Sequence, residues 1–306
     1  MEKTLKIKFY KIILIIFILF FSFKSVSQQI SCDTFFLKTI IYTLSSDSME
    51  GRRPGNKGAE KAKNFLINYF QKNTKTTIDS FTYNLENKSI KAENIVGIID
   101  NKADSFIIFM AHYDHIGYGG EKSRSLTNNK IHPGADDNAS GIAIVLHLIN
   151  YFAKKEVKKE YKKKINFLFI ALSGHEDGLY GSKNFVTKYS EIIKKTKIVL
   201  NYDMVGRLNY NTPIIKLISN DICHFKKYLN DGLSITFHYS EDYLNSDIEI
   251  FARENIKCLS ITTGIHDDYH KTSDTADKIN YEGVCKIVNL TNYFVKNITS
   301  RPLLTQ

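Results

Sequence analysis

The chain has 306 residues, 43% hydrophobic and 24% charged, enough apolar material to bury one substantial core. Its formal charge of +10 is partly an end effect, because Lys3, Lys6, Lys8, Lys11 and Lys24 stand against Glu2 alone in the first 27 residues. The densest basic run, 154–164, brings no aromatic stacking motif or reading module, so it reads as a solvated loop rather than a nucleic-acid surface.

In chain order, the first segment reads as a secretory signal. Basic residues precede an unbroken apolar run, 12–21, and small residues Ser25 and Ser27 follow it. The run is well short of the ~20 residues that span a bilayer, which favours cleavage over a retained membrane anchor. Cys32 is separated from the run by Gln28, Gln29 and Ile30, which disfavours lipidation there. The expected layout is a signal peptide over 1–27 and one domain over 28–306, exported to the periplasm or the medium. Export permits a disulfide, and a bond among Cys223, Cys258 and Cys285 is expected. The irregular cysteine spacing argues against a cysteine zinc site.

Helical spacing of Ala62, Phe65, Leu66 and Tyr69 predicts a helix over 59–70. Short apolar strands are predicted over 105–110, 165–172, 197–202 and 256–262, with helices over 141–152, from Leu179, and over 281–295. No internal repeat or Pro-rich linker interrupts them. Continuous apolar strands alternating with helices predict one α/β domain, a mostly parallel mixed central sheet flanked by helices on both faces. In such sheets the chemistry lies beyond the carboxyl ends of the strands.

Polar clusters occupy those ends. The first strand runs into Ala111-His112-Tyr113-Asp114-His115. His112 can offer one ring nitrogen to a metal while Asp114 holds the other; a loop histidine with a salt-bridge partner explains this cluster equally well. Gly134-Ala135-Asp136-Asp137-Asn138 precedes an apolar helix, where helix capping accounts for one acid but poorly for two. The next strand leads to Gly174-His175-Glu176-Asp177-Gly178, another to Asp203, and the last to His266-Asp267-Asp268-Tyr269-His270. Charged groups at the ends of buried strands are costly without partners. Taken together, His112, Asp137, Glu176, Asp203 and His270 form a nitrogen and oxygen donor set with one carboxylate to share, which suits two zinc ions roughly 3.5–4 Å apart.

With these residues in order, the sequence resembles the family twenty-eight metallopeptidases, the di-zinc aminopeptidases and their carboxypeptidase relatives. The likeness covers nearly the whole mature chain. It includes Leu44-Ser45-Ser46-Asp47, Glu50-Gly51-Arg52-Arg53-Pro54-Gly55, Asn94-Ile95-Val96-Gly97 and Asp277-Lys278-Ile279. The resemblance implies His112 and Asp203 on one zinc, Glu176 and His270 on the other, and Asp137 between them. It also implies that Asp114 orients His112 and that Asp136 is a neighbour. An exopeptidase acting on a free amino terminus of peptide substrates follows from the resemblance alone. The short segment between Gly97 and Phe106 leaves no room for the protease-associated domain some relatives insert.

Two departures from that family matter. Relatives carry two consecutive glutamates before an x-Gly-Leu-x-Gly-Ser element, the first a general base and the second a zinc ligand. Counting back from Gly178-Leu179-Tyr180-Gly181-Ser182 places Glu176 as ligand and His175 as base. Sliding the register to make Asp177 the ligand needs a deletion and a shorter reach. A base that becomes a cation beside two zinc ions should slow turnover. The second departure is Ser246-Asp247-Ile248, where many relatives read Ser-Asp-His, a position expected to touch specificity. Tyr269 is the preferred oxyanion-stabilising phenol over Tyr243, because it adjoins a ligand. The competing readings are a non-catalytic zinc-binding homologue and a glutaminyl-cyclase-like acyltransferase, whose single zinc argues against it here.

Overall fold

Largely apolar stretches form the centre of the sheet, because both of their faces are covered by helices. β3 (Phe106–His112), β4 (Asn166–Leu172), β5 (Thr196–Tyr202) and β8 (Lys257–Thr262) lie side by side and parallel, in the order β4-β3-β5-β8. The computed structural model describes residues 32–126, 129–229 and 235–300, so the expected signal segment 1–27 lies outside the described residues.

The flanks make the sheet mixed, as expected. β1 (Lys75–Leu85) and β2 (Lys88–Ile99) form an antiparallel hairpin, and β2 pairs antiparallel with β4. On the other side β6 (Ile214–Ser219) pairs antiparallel with β8 and parallel with β7 (Thr236–Ser240). β6 alternates buried with more exposed residues, while β1 and β7 are mostly exposed or half-buried, so they lack the continuous apolar signature of the centre. The hairpin turn takes left-handed Glu86 and Asn87, the twist that a two-residue connection favours.

Helices α1 (Thr34–Leu44), α2 (Lys57–Asn73), α3 (Gly141–Phe152) and α9 (Tyr281–Ser300) pack together on one side. There Phe109, Phe152, Phe167 and Phe169 stack with centroids 4.2–5.8 Å apart. The opposite face buries Ile108, Met110, Leu168 and Val199 against Phe185 of α5 (Tyr180–Lys188), Ile193 of α6 (Ser190–Lys195) and Phe251 of α8 (Asp247–Ala252). Strand residues of alternate parity therefore feed two cores.

Two expectations are corrected. The basic run contains a short helix, α4 (Lys155–Tyr161), which buries Val157 and Tyr161 and turns its lysines outward. The disulfide joins Cys32 to Cys285, with Cα atoms 5.6 Å apart, and ties the start of α1 to α9. Cys258 is unpaired because it lies inside the core on β8, and Cys223 is free and exposed, on α7 (Ile222–Lys226). Among the described residues, no helix is long and apolar enough to cross a membrane.

Candidate metal centre

The polar strand ends converge. His112 is the last residue of β3, and its Nε2 lies 3.4 Å from Asp137 Oδ1 and 3.5 Å from Asp203 Oδ1. His270 Nε2 lies 3.3 Å from Asp137 Oδ2 and 3.3 Å from Glu176 Oε1. The two oxygens of Asp137 thus face different groups of donors. A tetrahedral ion with donors at ~2.0–2.2 Å separates neighbouring donors by roughly 3.3–3.6 Å, so the spacing fits zinc on either side of Asp137. His112 Nε2, Glu176 Oε1 and His270 Nε2 are buried without hydrogen-bond partners. Buried polar atoms are rarely left so. This is the behaviour of a cradle for cations.

The surrounding structure aims these groups. Asp137 lies in an irregular segment ahead of α3, where its N–H and that of Asp136 donate to Asp274 Oδ2 at 3.1 and 2.9 Å. Neither acid caps α3, and Asn138 ties the segment down, its Oδ1 accepting from Gly141 and Met204 N–H while its Nδ2 donates to the Tyr202 carbonyl. The acids at this helix start are therefore free for other duty. Asp136 faces away, accepting from Gly206 N–H and lying 3.1 Å from His266 Nε2. Arg52 is fully buried, and its guanidinium donates to the carbonyls of Leu44, Tyr113, Pro133 and Gly134, binding the His112 and Asp137 loops to the N-terminal segment. Burial lowers its pKa to about 10, which leaves it charged at neutral pH.

Asp114 differs from expectation. Its backbone carbonyl, not its carboxylate, lies within hydrogen-bond distance of His112 Nδ1, at 3.1 Å against 3.9 Å. The carboxylate accepts the N–H groups of His175 and Glu176 instead, at 3.2 and 3.1 Å. It therefore sets the loop that carries both. Burial pushes its pKa up to about 6. Asp177 is held by Tyr83 at 2.7 Å, Lys122 at 2.8 Å and Arg53 at 3.7 Å, so the shifted register that would make it a donor has no support.

His175 lies flat on His112, with ring centroids 3.9 Å apart and planes 6° from parallel. Its Nδ1 is 2.8 Å from Asp247 Oδ2, and Asp247 Oδ1 accepts from Ser182 at 2.7 Å. Asp247, which precedes the Ile248 departure, is fully buried and serves His175. His115 was not singled out from the sequence, yet it is buried beside Glu176, its Nδ1 3.2 Å from Oε1. The signal that could have found it is the second histidine of His112-Tyr113-Asp114-His115. Gly134 makes room for it: a Cβ there would come 2.6 Å from the His115 ring.

The electrostatics are those of a closely coupled acid and imidazole cluster. Burial and the stacked His175 oppose a proton on His112, but the Asp203 and Asp137 carboxylates outweigh them and raise its pKa to about 9. His270 is lifted to about 10 against burial by Asp137 and Glu176. Burial alone would raise Glu176, but His115 and His270 hold it well below the usual carboxylate range. Without cations, protons on the imidazoles neutralise the acids, so metal uptake should release them.

The cluster opens on a cavity of about 220 Å³, lined by Asp137, Glu176 and Asp203 and, further out, by Lys216, Ile265 and Tyr269. The Tyr269 ring lies 4.0 Å from that of His270, under the guanidinium of Arg124. Tyr243 packs against the core on the α5 and α8 side.

The comparisons agree with this architecture. Leucine aminopeptidase 1 of Trichophyton rubrum is 27% identical over 187 residues, which take in 61% of this chain and 43% of that protein. The chain spans less than half the length of the curated relatives it matches first. Among solved structures, a leucine aminopeptidase precursor from Bacteroides thetaiotaomicron superposes with a TM-score of 0.71 at 16% identity, over 87% of this chain and 97% of that one. A glutaminyl cyclase from the same organism, bound to N-acetylhistamine, gives 0.70 at 16% identity, over 87% and 98%. The description of peptidase family M28 matches residues 94–295, a stretch that holds every donor described above, and the chain belongs to that family.

Proposed function

We propose that the chain is a zinc-dependent exopeptidase, an aminopeptidase, that hydrolyses peptide bonds at a centre of two zinc ions. The observation that carries this reading is Asp137, whose two oxygens each face a separate group of buried donors. His112 and Asp203 would hold one ion, and Glu176 and His270 the other. The fold does not choose between peptidase and cyclase, since it is similar to both; the doubled donor set favours the two-metal reading.

Zinc in such a site polarises a carbonyl and lowers the pKa of water. The chain's own contribution is positional. Asp114 holds the loop bearing His175 and Glu176 through two backbone N–H groups. Arg52 fixes the His112 and Asp137 loops. Tyr269 lines the cavity beside Asp137 and Glu176, where its hydroxyl can donate to a substrate oxygen. The position of a carboxylate base carries His175, so a water proton finds no carboxylate acceptor there. Turnover should fall by up to ~10²–10⁴-fold relative to a glutamate in that place. Export is part of the same proposal, supported by the Cys32–Cys285 bond, since such bonds persist in oxidising compartments.

The mature chain with zinc should release amino acids from amino-acyl chromogenic substrates, and His175→Glu should accelerate release. Failure of both proteins to cleave a broad peptide panel, with two zinc ions bound, would leave a peptide-binding homologue instead.

A further inference from the structure

The cavity beside the metal centre has a patch of sheet for its floor. β6 and β8 pair antiparallel there, with Lys216 opposite Thr262 and Ile218 opposite Ser260, and all four residues line the cavity. Ile215 and Leu217, the residues between, turn to the other face and are fully buried. On the cavity side of β6, then, a cation stands between two isoleucines, Ile214 and Ile218. Lys216 is the sole lysine or arginine among the described lining residues, and among the described residues no carboxylate comes within ion-pair distance of its ammonium. Lysines elsewhere on the surface behave differently: Lys122, Lys188, Lys257 and Lys278 each meet an aspartate at 2.7–2.8 Å. The side-chain amide of Asn245, on the loop ahead of α8, also lines the cavity and has no partner among the described residues.

We propose that this cavity takes the side chain of the substrate's amino-terminal residue, and that Lys216 selects an acidic one, aspartate or glutamate. This rests on the exopeptidase reading and names its substrate class. A volume of about 220 Å³ admits one side chain. Ile218 and Met204 pack against its methylene groups, while the Lys216 ammonium and the Asn245 amide donate to its carboxylate. Charge-assisted bonds of this kind are stronger than neutral ones, and more so where the substrate excludes water. An apolar side chain of similar size fills the same space but strips water from two donors and gives them no acceptor. A basic side chain meets like charge. The selection therefore comes from chemistry at the outer end of the cavity, since the floor itself is apolar enough to hold any of the three.

The α-hydroxamates of glutamate, leucine and lysine, titrated calorimetrically into the zinc-loaded chain, read this preference without requiring turnover. Glutamate hydroxamate should bind at least ~10-fold more tightly than leucine hydroxamate, and lysine hydroxamate should bind most weakly. Lys216→Met should cut the glutamate-to-leucine ratio by at least ~10-fold, and Lys216→Glu should put lysine hydroxamate first. Each ratio compares two probes on one protein, so partial misfolding or zinc loss lowers both and leaves the ratio unchanged. The same order should appear in kcat/KM for the matching amino-acyl p-nitroanilides. Leucine hydroxamate binding wild type as tightly as glutamate hydroxamate, or a wild-type ratio kept by Lys216→Met, overturns the acidic preference and leaves the exopeptidase reading intact. Failure to bind or cleave any of the probes with two zinc ions in place overturns both.

Discussion

Two regions of this molecule bury charge in opposite ways. Around Arg52 and around Asp79, every charged group is matched. Arg52 meets four carbonyls, and Asp79 accepts from Asn94, Asn184 and Lys188 at 3.0, 2.8 and 2.7 Å. At the metal centre, His112, His115, Glu176 and His270 expose buried atoms to one another without hydrogen bonds. Matched groups hold a structure together, whereas unmatched groups gathered within a few ångströms are kept for something that is bound. His147 marks the boundary of the rule. Its Nδ1 is also unmatched, but its Nε2 accepts from the Asp33 N–H at 3.4 Å and its ring stands against Phe36 on α1.

The largest effect should come from the unmatched region. Asp137→Ala removes the carboxylate common to both groups of donors, so on the proposed two-zinc reading both ions should be lost and hydrolysis should fall at least ~10³-fold. Elemental analysis and a chromogenic assay measure this, and full zinc retention would break the distinction drawn above.

The matched region should respond in stability. Arg52→Met leaves four buried carbonyls without a donor and should cost about 3–5 kcal/mol in urea unfolding of the zinc-free chain. A loss under 1 kcal/mol would show that Arg52 is not a structural hub.

His147 sharpens the comparison through pH. Burial lowers its pKa from 6.5 to about 4, so the folded imidazole is neutral where the unfolded one is protonated. The unfolded state then binds the extra proton between those values. Its contribution is present above pH ~6.5 and lost as pH falls towards 4, about 3 kcal/mol at most. His147→Gln should flatten that part of the stability profile of the zinc-free chain, and an unchanged slope would contradict the assignment.

Asp79→Asn should have the smallest effect. It keeps the shape but weakens the bonds to Lys188 and the two asparagines, at a cost of roughly 1–2 kcal/mol, with zinc content unaltered. Loss of zinc in that variant would couple the two regions that the structure keeps apart.

Much of the central architecture was legible because its causes are local. Strands buried on both faces must be largely apolar, so β3, β4, β5 and β8 stood out, while β1, β6 and β7 hid in more polar, partly exposed sequence. The acids and histidines at the strand ends were legible for the same reason, since a sudden charge after an apolar run needs a purpose. Asp114 was found but given the wrong atom to hold, because a two-residue spacing does not say whether the carbonyl or the carboxylate faces the ring.

By itself, then, the sequence determined the residue types available at the carboxyl end of the sheet and the order in which the strands deliver them. Only the tertiary structure decided that His115 turns inward, that Asp247 reaches across from α8 to His175, and that Cys32 meets Cys285 across 253 residues of chain. Those contacts join segments far apart in the chain, and their geometry follows from how helices pack on the sheet. No local pattern of side chains encodes it.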